Sequence, residues 1–141
     1  MDLNNEYDGY CSDMTRTKAF GARATSKQKD VYAVNLEMFK KAVEAIRPGA
    51  KARAIWDAAA KVAEEAGYGQ YIRPCISHSM GLDIHEIPDV GVDETQLAPN
   101  MVISCEPSLC VKDLGAGVED TVLVTEGGHE LLTKLSKDLE L

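Results

Sequence analysis

The sequence predicts an α+β fold, a mostly antiparallel, curved sheet with two helices packed on one of its faces. Two adjacent segments between Thr25 and Ala66 repeat apolar residues at helical spacing. The chain before and after them breaks into short β-type runs punctuated by Gly and Pro. The resulting order is strands, then a helix pair, then strands again, which lacks the regular strand–helix alternation of a parallel sheet. At 141 residues the chain has the size of a single domain, 1–141. A chain of that length buries roughly 68% of its unfolded surface, enough for one core.

The opening stretch, residues 2–13, reads as two short strands, with Asn4-Asn5 and Asp8-Gly9 supplying turn chemistry. Residues 14–20 read as a further strand ending at Gly21. The first helix runs from Thr25 or Ser26, an N-cap, to Arg47, so that 25–47 turns Val31, Val34, Leu36, Met38, Phe39, Ala42, Val43 and Ile46 inward. Pro48-Gly49 stops it. The second helix, 50–66, points Ala54, Ile55, Ala58, Val62 and Ala66 inward and ends at Gly67. Strands follow at 71–76, 82–87, 101–105 and 118–125. A turn at Glu126-Gly127-Gly128-His129 leads into a last edge strand, 130–135.

Composition excludes several functions. Fifteen Lys and Arg against 23 Asp and Glu give a net charge of -8, the wrong sign for a nucleic-acid partner. No run approaches the ~18 apolar residues of a membrane span, and no secretory signal opens the chain. Mean hydropathy is -0.21. Four cysteines, Cys11, Cys75, Cys105 and Cys110, stand singly without a C-x-x-C pair. They read as reduced, buried thiols of a cytoplasmic protein.

Chemistry gathers around His78-Ser79-Met80-Gly81-Leu82-Asp83-Ile84-His85-Glu86, which holds two of the three histidines seven residues apart. Four carboxylates, Asp2, Asp13, Glu106 and Glu119, sit at the edges of strand-like runs before and after it. Hard oxygen donors with an imidazole suit two divalent cations, Mn²⁺, Co²⁺, Fe²⁺ or Zn²⁺. Such a pair, about 3.5–4 Å apart, shares a water and turns it into a hydroxide nucleophile near neutral pH. Taken singly, each residue reads as well as a turn, a cap or a solvated strand edge.

Four blocks in order carry a resemblance. They are Asp2-Leu3 with Tyr7, Gly9-Tyr10 and Ser12-Asp13-Met14-Thr15-Arg16-Thr17; His78 with Met80 to Pro88; Met101 to Pro107; and Val118 to Glu126. They resemble the successive motifs of the Xaa-Pro aminopeptidase, prolidase and creatinase group of pita-bread metallopeptidases, over nearly the whole chain. The resemblance implies a partial pita-bread fold, the later part of the catalytic domain, and a dinuclear peptidase cleaving Xaa-Pro amide bonds in a peptide or dipeptide. It implies that Asp2 holds one metal, Asp13 and Glu119 bridge both, and His78 and Glu106 complete the second. It makes His85 a substrate-side donor that stabilises developing charge, Glu106 a mover of protons, and Thr15, near Asp13 in its block, a support that orients ligands.

The sequence departs from the pattern at Ser79, where a glycine is usual, at Pro74, where a histidine is common, and at Gly117, where many proline peptidases carry arginine. The half that precedes Asp2 in the family is absent. The expectation is a truncated protein, one piece of a split enzyme or a stand-alone half. Its exposed sheet edge would be covered by a second copy, as a homo-oligomer, or by a partner chain supplying the missing half. Two further readings stay open: a non-catalytic peptide-binding or assembly module, or inert fragment, and a creatinase-like hydrolase of small C–N bonds.

Overall fold

The computed structural model describes residues 1–21 and 23–140. Two strands, β1 (Asp2–Tyr7) and β2 (Tyr10–Thr15), form an antiparallel ribbon with Asp2 opposite Thr15 and Asn4 opposite Asp13. Asp8 and Gly9, at φ 52° and 83°, make the tight turn whose twist suits a two-residue hairpin. Asn4-Asn5 therefore lies inside β1 and not at a turn. The expected strand over 14–20 stops at Thr15. Beyond it, side chains replace the ladder: the Thr17 hydroxyl donates to Gly117 O and accepts from Gly117 N–H, both at 2.9 Å.

Helix α1 (Ser26–Ala45) begins at Thr25, whose hydroxyl accepts from Gln28 N–H while the Gln28 side chain accepts from Thr25 N–H. This reciprocal cap uses two of the backbone donors that a helix start leaves free. Met38, Phe39, Ala42, Val43 and Ile46 are buried as expected, whereas Val34 and Leu36 are only half-buried. Tyr32 and Asn35 take inward places that apolar spacing does not reveal.

Helix α2 (Ala52–Glu65) is buried through Ala52, Ile55, Ala59, Ala60 and Ala63. The expected face of Ala54, Ala58 and Ala66 is thus rotated by about one residue. Six alanines in fourteen positions give little contrast between faces, so only Ile55 fixed the phase. Gly67, at φ 78°, follows the helix end as anticipated.

The remaining chain builds a five-stranded antiparallel sheet, ordered β4-β3-β5-β8-β9, from β3 (Ser77–Ser79), β4 (Glu86–Val90), β5 (Val102–Cys105), β8 (Asp120–Thr125) and β9 (Gly128–Leu131). A hairpin not foreseen from sequence, β6 (Ser108–Val111) with β7 (Leu114–Gly117), turns at Lys112. The run 71–76 is not a strand; a 3₁₀ turn covers Gly69–Tyr71, Ile72 makes one isolated bridge to Leu109, and the ladder starts at Ser77. Residues 82–85 form a loop, and β9 starts two residues before the expected last strand.

The core joins the inner faces of both helices to Ile76, Val90, Ile103, Leu109, Val118, Val122 and Val124. Burying each such side chain contributes roughly 1.5–3 kcal/mol of transfer free energy. Of the cysteines only Cys105 is buried; Cys11 is half-buried, and Cys75 and Cys110 are exposed, against the expectation of four buried thiols. All four are free thiols.

Candidate metal centre

The polar face of the large sheet collects the site by strand alternation. His78 on β3 faces Ser104 on β5, and Ser104 faces Thr121 on β8. Glu106 lies two residues after Ser104 and Glu119 two before Thr121, so both carboxylates continue that row on the same face. Glu106 N–H donates to Ile76 O at 2.9 Å, which holds it beside β3. The ribbon supplies the other side: Asp2 and Asp13 sit diagonally across from each other on one ribbon face.

Donor atoms of Asp13, His78 and Glu119, all buried, lie within 4.8 Å of one another. His78 Nε2 is 3.9 Å from Asp13 Oδ2 and 3.6 Å from Glu106 Oε1. His78 Nδ1 lies 3.1 Å from Ser79 O, an acceptor that places a hydrogen on Nδ1 and makes Nε2 the nitrogen that faces the carboxylates. Thr15 Oγ1 donates to Glu119 Oε2 at 2.8 Å and Ser104 Oγ donates to Oε1 at 2.5 Å. The carboxylate that Thr15 supports is that of Glu119, across the site from its chain neighbour Asp13. Ser104 was missed, although its place two residues before Glu106 on a strand put it on the same face.

Electrostatics describes a site short of positive charge. Burial pushes the Glu119 carboxyl up to about 7, against the hydrogen bonds from Ser104 and Thr15. Burial also raises Asp13, followed by the neighbouring Asp2 carboxylate. Glu106 is raised by burial and then by Asp13. Asp13 Oδ1 is buried and meets no donor among the described residues. A buried carboxylate oxygen without a partner is costly, and converging carboxylates repel unless a cation lies between them. The hard oxygen donors and single imidazole fit divalent cations.

Asp2 is exposed, and its influence on Asp13 shows that the two carboxylates are close. His85 is exposed on the 82–85 loop, its ring centroid 4.0 Å from that of His78 with planes tilted by 39°. That loop is set by its two ends. A Cβ at Gly81 would lie 2.9 Å from Glu86 Oε1, so glycine lets the Glu86 side chain fold beneath the loop and accept from Asp83 N–H at 3.1 Å. Cys11 N–H donates to Gly81 O at 2.8 Å and ties the loop to the ribbon. Asn35, also missed, donates from α1 to Pro107 O at 2.7 Å and fixes the residue after Glu106.

Residues 1–126 match the family model described as metallopeptidase family M24. The chain belongs to family M24. It is 42% identical to the Xaa-Pro dipeptidase of Pyrococcus furiosus over 141 residues, covering 99% of this chain and 40% of that protein. An uncharacterized peptidase of Staphylococcus saprophyticus is 41% identical over 139 residues, covering 97% and 39%. The prolidase of Pyrococcus horikoshii OT3 superposes with a TM-score of 0.93 at 41% identity, over 98% of this chain and 40% of that one. The Xaa-Pro dipeptidase of Bacillus anthracis gives 0.94 at 36%, over 99% and 40%. This M24 chain therefore spans about 40% of the length of the relatives it matches, and its partial pita-bread, α+β fold is the one its sequence predicts.

Proposed function

We propose that this M24 chain is the metal-binding part of an Xaa-Pro peptidase, hydrolysing the amide bond before proline in a peptide or dipeptide. The observation that carries the proposal is the buried meeting of Asp13, His78 and Glu119, with Asp13 Oδ1 unsatisfied and the Glu119 carboxyl raised to about 7. Identity to an Xaa-Pro dipeptidase over 99% of the chain supports the substrate class.

Asp2, Asp13, His78, Glu106 and Glu119 would hold two divalent ions, Mn²⁺ or Co²⁺ in first place. When bound, such ions lower the pKa of a held water and polarise the scissile carbonyl. The chain's own side chains do the rest. Glu106, at the accessible rim of the site with its side chain 30% exposed, takes the proton of the attacking water and delivers it to the departing proline nitrogen. His85 donates a hydrogen bond to the oxygen that gains charge in the transition state. Thr15 and Ser104 keep both Glu119 oxygens aimed, as partners of ligating carboxylates do.

The reading also covers assembly. Residues 1–141 act as one domain, the later part of a pita-bread catalytic domain. The outer edge of β1 is unpaired among the described residues, which supports its being covered by a second copy or by a chain supplying the remaining half. No described helix is long and apolar enough to cross a membrane. The four free thiols support a reducing, cytoplasmic compartment.

The test is elemental analysis of the chain supplied with Mn²⁺ or Co²⁺, alongside its mass in solution and its hydrolysis of an Xaa-Pro dipeptide. Two metals per chain and proline release are expected. Fewer than one metal per chain sinks the proposal.

A further inference from the structure

We infer that Arg16 is a positioning residue for the metal centre, fixing the ribbon that carries Asp13 to the strand that follows Glu119 and coupling both to the tail beyond β9. The inference rests on the metal-binding reading above. Arg16 offers no metal-ligating atom, yet it is 5% exposed. Its Nη1 donates to Thr15 O at 2.9 Å and Glu119 O at 2.5 Å. Its Nη2 donates to Asp120 Oδ1 at 2.6 Å and Leu135 O at 3.0 Å, and Nε donates to Ser136 O at 3.0 Å. One guanidinium thus grips the ribbon, the residue pair 119–120 and the tail.

The grip matters because no ladder joins β2 to the five-stranded sheet. Near the site the ribbon is otherwise tied to β8 and the residues before it by Glu119 N–H to Thr15 O at 3.1 Å, Thr15 Oγ1 to Glu119 Oε2 at 2.8 Å and Thr121 Oγ1 to Asp13 O at 2.9 Å, and just past β2 by the two Thr17–Gly117 bonds at 2.9 Å. Arg16 is the side chain that adds to these single bonds a charged, buried clamp on both Glu119 O and Asp120, and so helps hold the separation of Asp13 from Glu119, which would set the spacing of two shared cations. A planar fork of five donors can satisfy these acceptors together; an ammonium cannot.

Asp120 carries the coupling to the tail. It is fully buried; Arg16 donates to Oδ1 at 2.6 Å, and Lys137 Nζ lies 2.6 Å from Oδ2 as a charge contact without hydrogen-bond geometry. Lys137 is seated over the Phe39 ring at 5.2 Å, and its carbonyl accepts from the Tyr32 hydroxyl. The tail is thereby anchored on α1, and through Asp120 it braces the residue next to Glu119.

Titration of the 141-residue chain with Co²⁺, read by calorimetry and by the visible absorption of the bound ion, tests this. Arg16→Lys keeps the charge opposite Asp120 and loses the fork. It is expected to bind Co²⁺ ~10–100-fold more weakly, with an altered absorption band, as loss of a ligand's supporting partner does. Lys137→Ala, one contact further from the ligands, is expected to weaken binding ~3–10-fold, below the range for loss of a direct supporting partner. Ile55→Ala, a core truncation on α2, is expected to lower stability and leave affinity and band unchanged. Wild-type affinity and band in Arg16→Lys would overturn the inference, as would an equal loss in Ile55→Ala. Should Arg16→Lys fail to fold, unchanged binding in Lys137→Ala overturns the tail coupling and reduced binding supports it. Failure of the unsubstituted chain to bind Co²⁺ removes the metal reading itself, and this inference with it.

Discussion

The floor of the candidate site and its ribbon wall are built by different means. The floor residues His78, Ser104, Glu106 and Glu119 lie on or next to β3, β5 and β8, three strands joined by continuous antiparallel ladders. The wall residues Asp2 and Asp13 lie on a two-stranded ribbon joined to that sheet without a ladder. A ladder fixes side chains through many parallel hydrogen bonds. The ribbon depends on a few single bonds, so its carboxylates are the adjustable part of the site.

Floor and wall should respond unequally to substitution. Glu119→Gln removes a floor carboxylate that lies at the centre of the buried cluster, and is expected to abolish both metal binding and hydrolysis. Elemental analysis and a proline-release assay read the two together. Retention of two metals would show that the floor is not the centre of the site.

His85→Ala tests the loop between the two. The ring stands beside His78 without joining the buried cluster. Metal content should hold at the unsubstituted level while kcat falls ~10²–10³-fold, the cost of removing one donor to a developing oxyanion. A loss of metal equal to that in Glu119→Gln would make His85 a ligand.

Asp2→Asn changes the exposed wall carboxylate. The expected result is one metal per chain in place of two, with the remaining ion held within ~10-fold of its original affinity. If Asp2→Asn empties the site as fully as Glu119→Gln, the distinction between floor and wall fails.

The same distinction governs what the sequence could reveal. The floor candidates were legible because His78, Glu106 and Glu119 fall in ordered blocks that resemble a known family's motifs; taken singly, each reads as well as a turn, a cap or a strand edge. The ribbon's turn at Asp8-Gly9 was equally plain. Long-range bonds were not legible. Arg16 and Asn35 are polar side chains in buried places, and hydropathy assigns such residues to the surface. The one-residue rotation of α2 has another origin: its alanines fit either face, and the choice is made by what α1 and β4 offer as neighbours. The β6–β7 hairpin escaped because Cys110, Gly115 and Gly117 dilute its alternation.

The smallest expected effect is on the metal-free chain, and its sign follows from the carboxyl groups. Burial raises Glu119 from 4.5 to about 7, and Asp13 and Glu106 move in the same direction. A carboxyl whose folded pKa lies above its unfolded value binds more protons in the folded state between those two values. Stability therefore falls as pH rises from about 4.5 to about 7 and levels off above. Thermal melts with chelator should give a higher midpoint near pH 5 than near pH 8. Saturating Mn²⁺ should reverse the order, because ligands must be deprotonated to bind and the ion then stabilises the folded chain most at the higher pH. Glu119→Gln places a neutral isostere where the strongly raised carboxyl stood, so it should flatten the metal-free profile and abolish the reversal. A metal-free chain more stable at pH 8 than at pH 5 would mean that these carboxyls, Glu119 above all, are not withdrawn from water as their burial here requires.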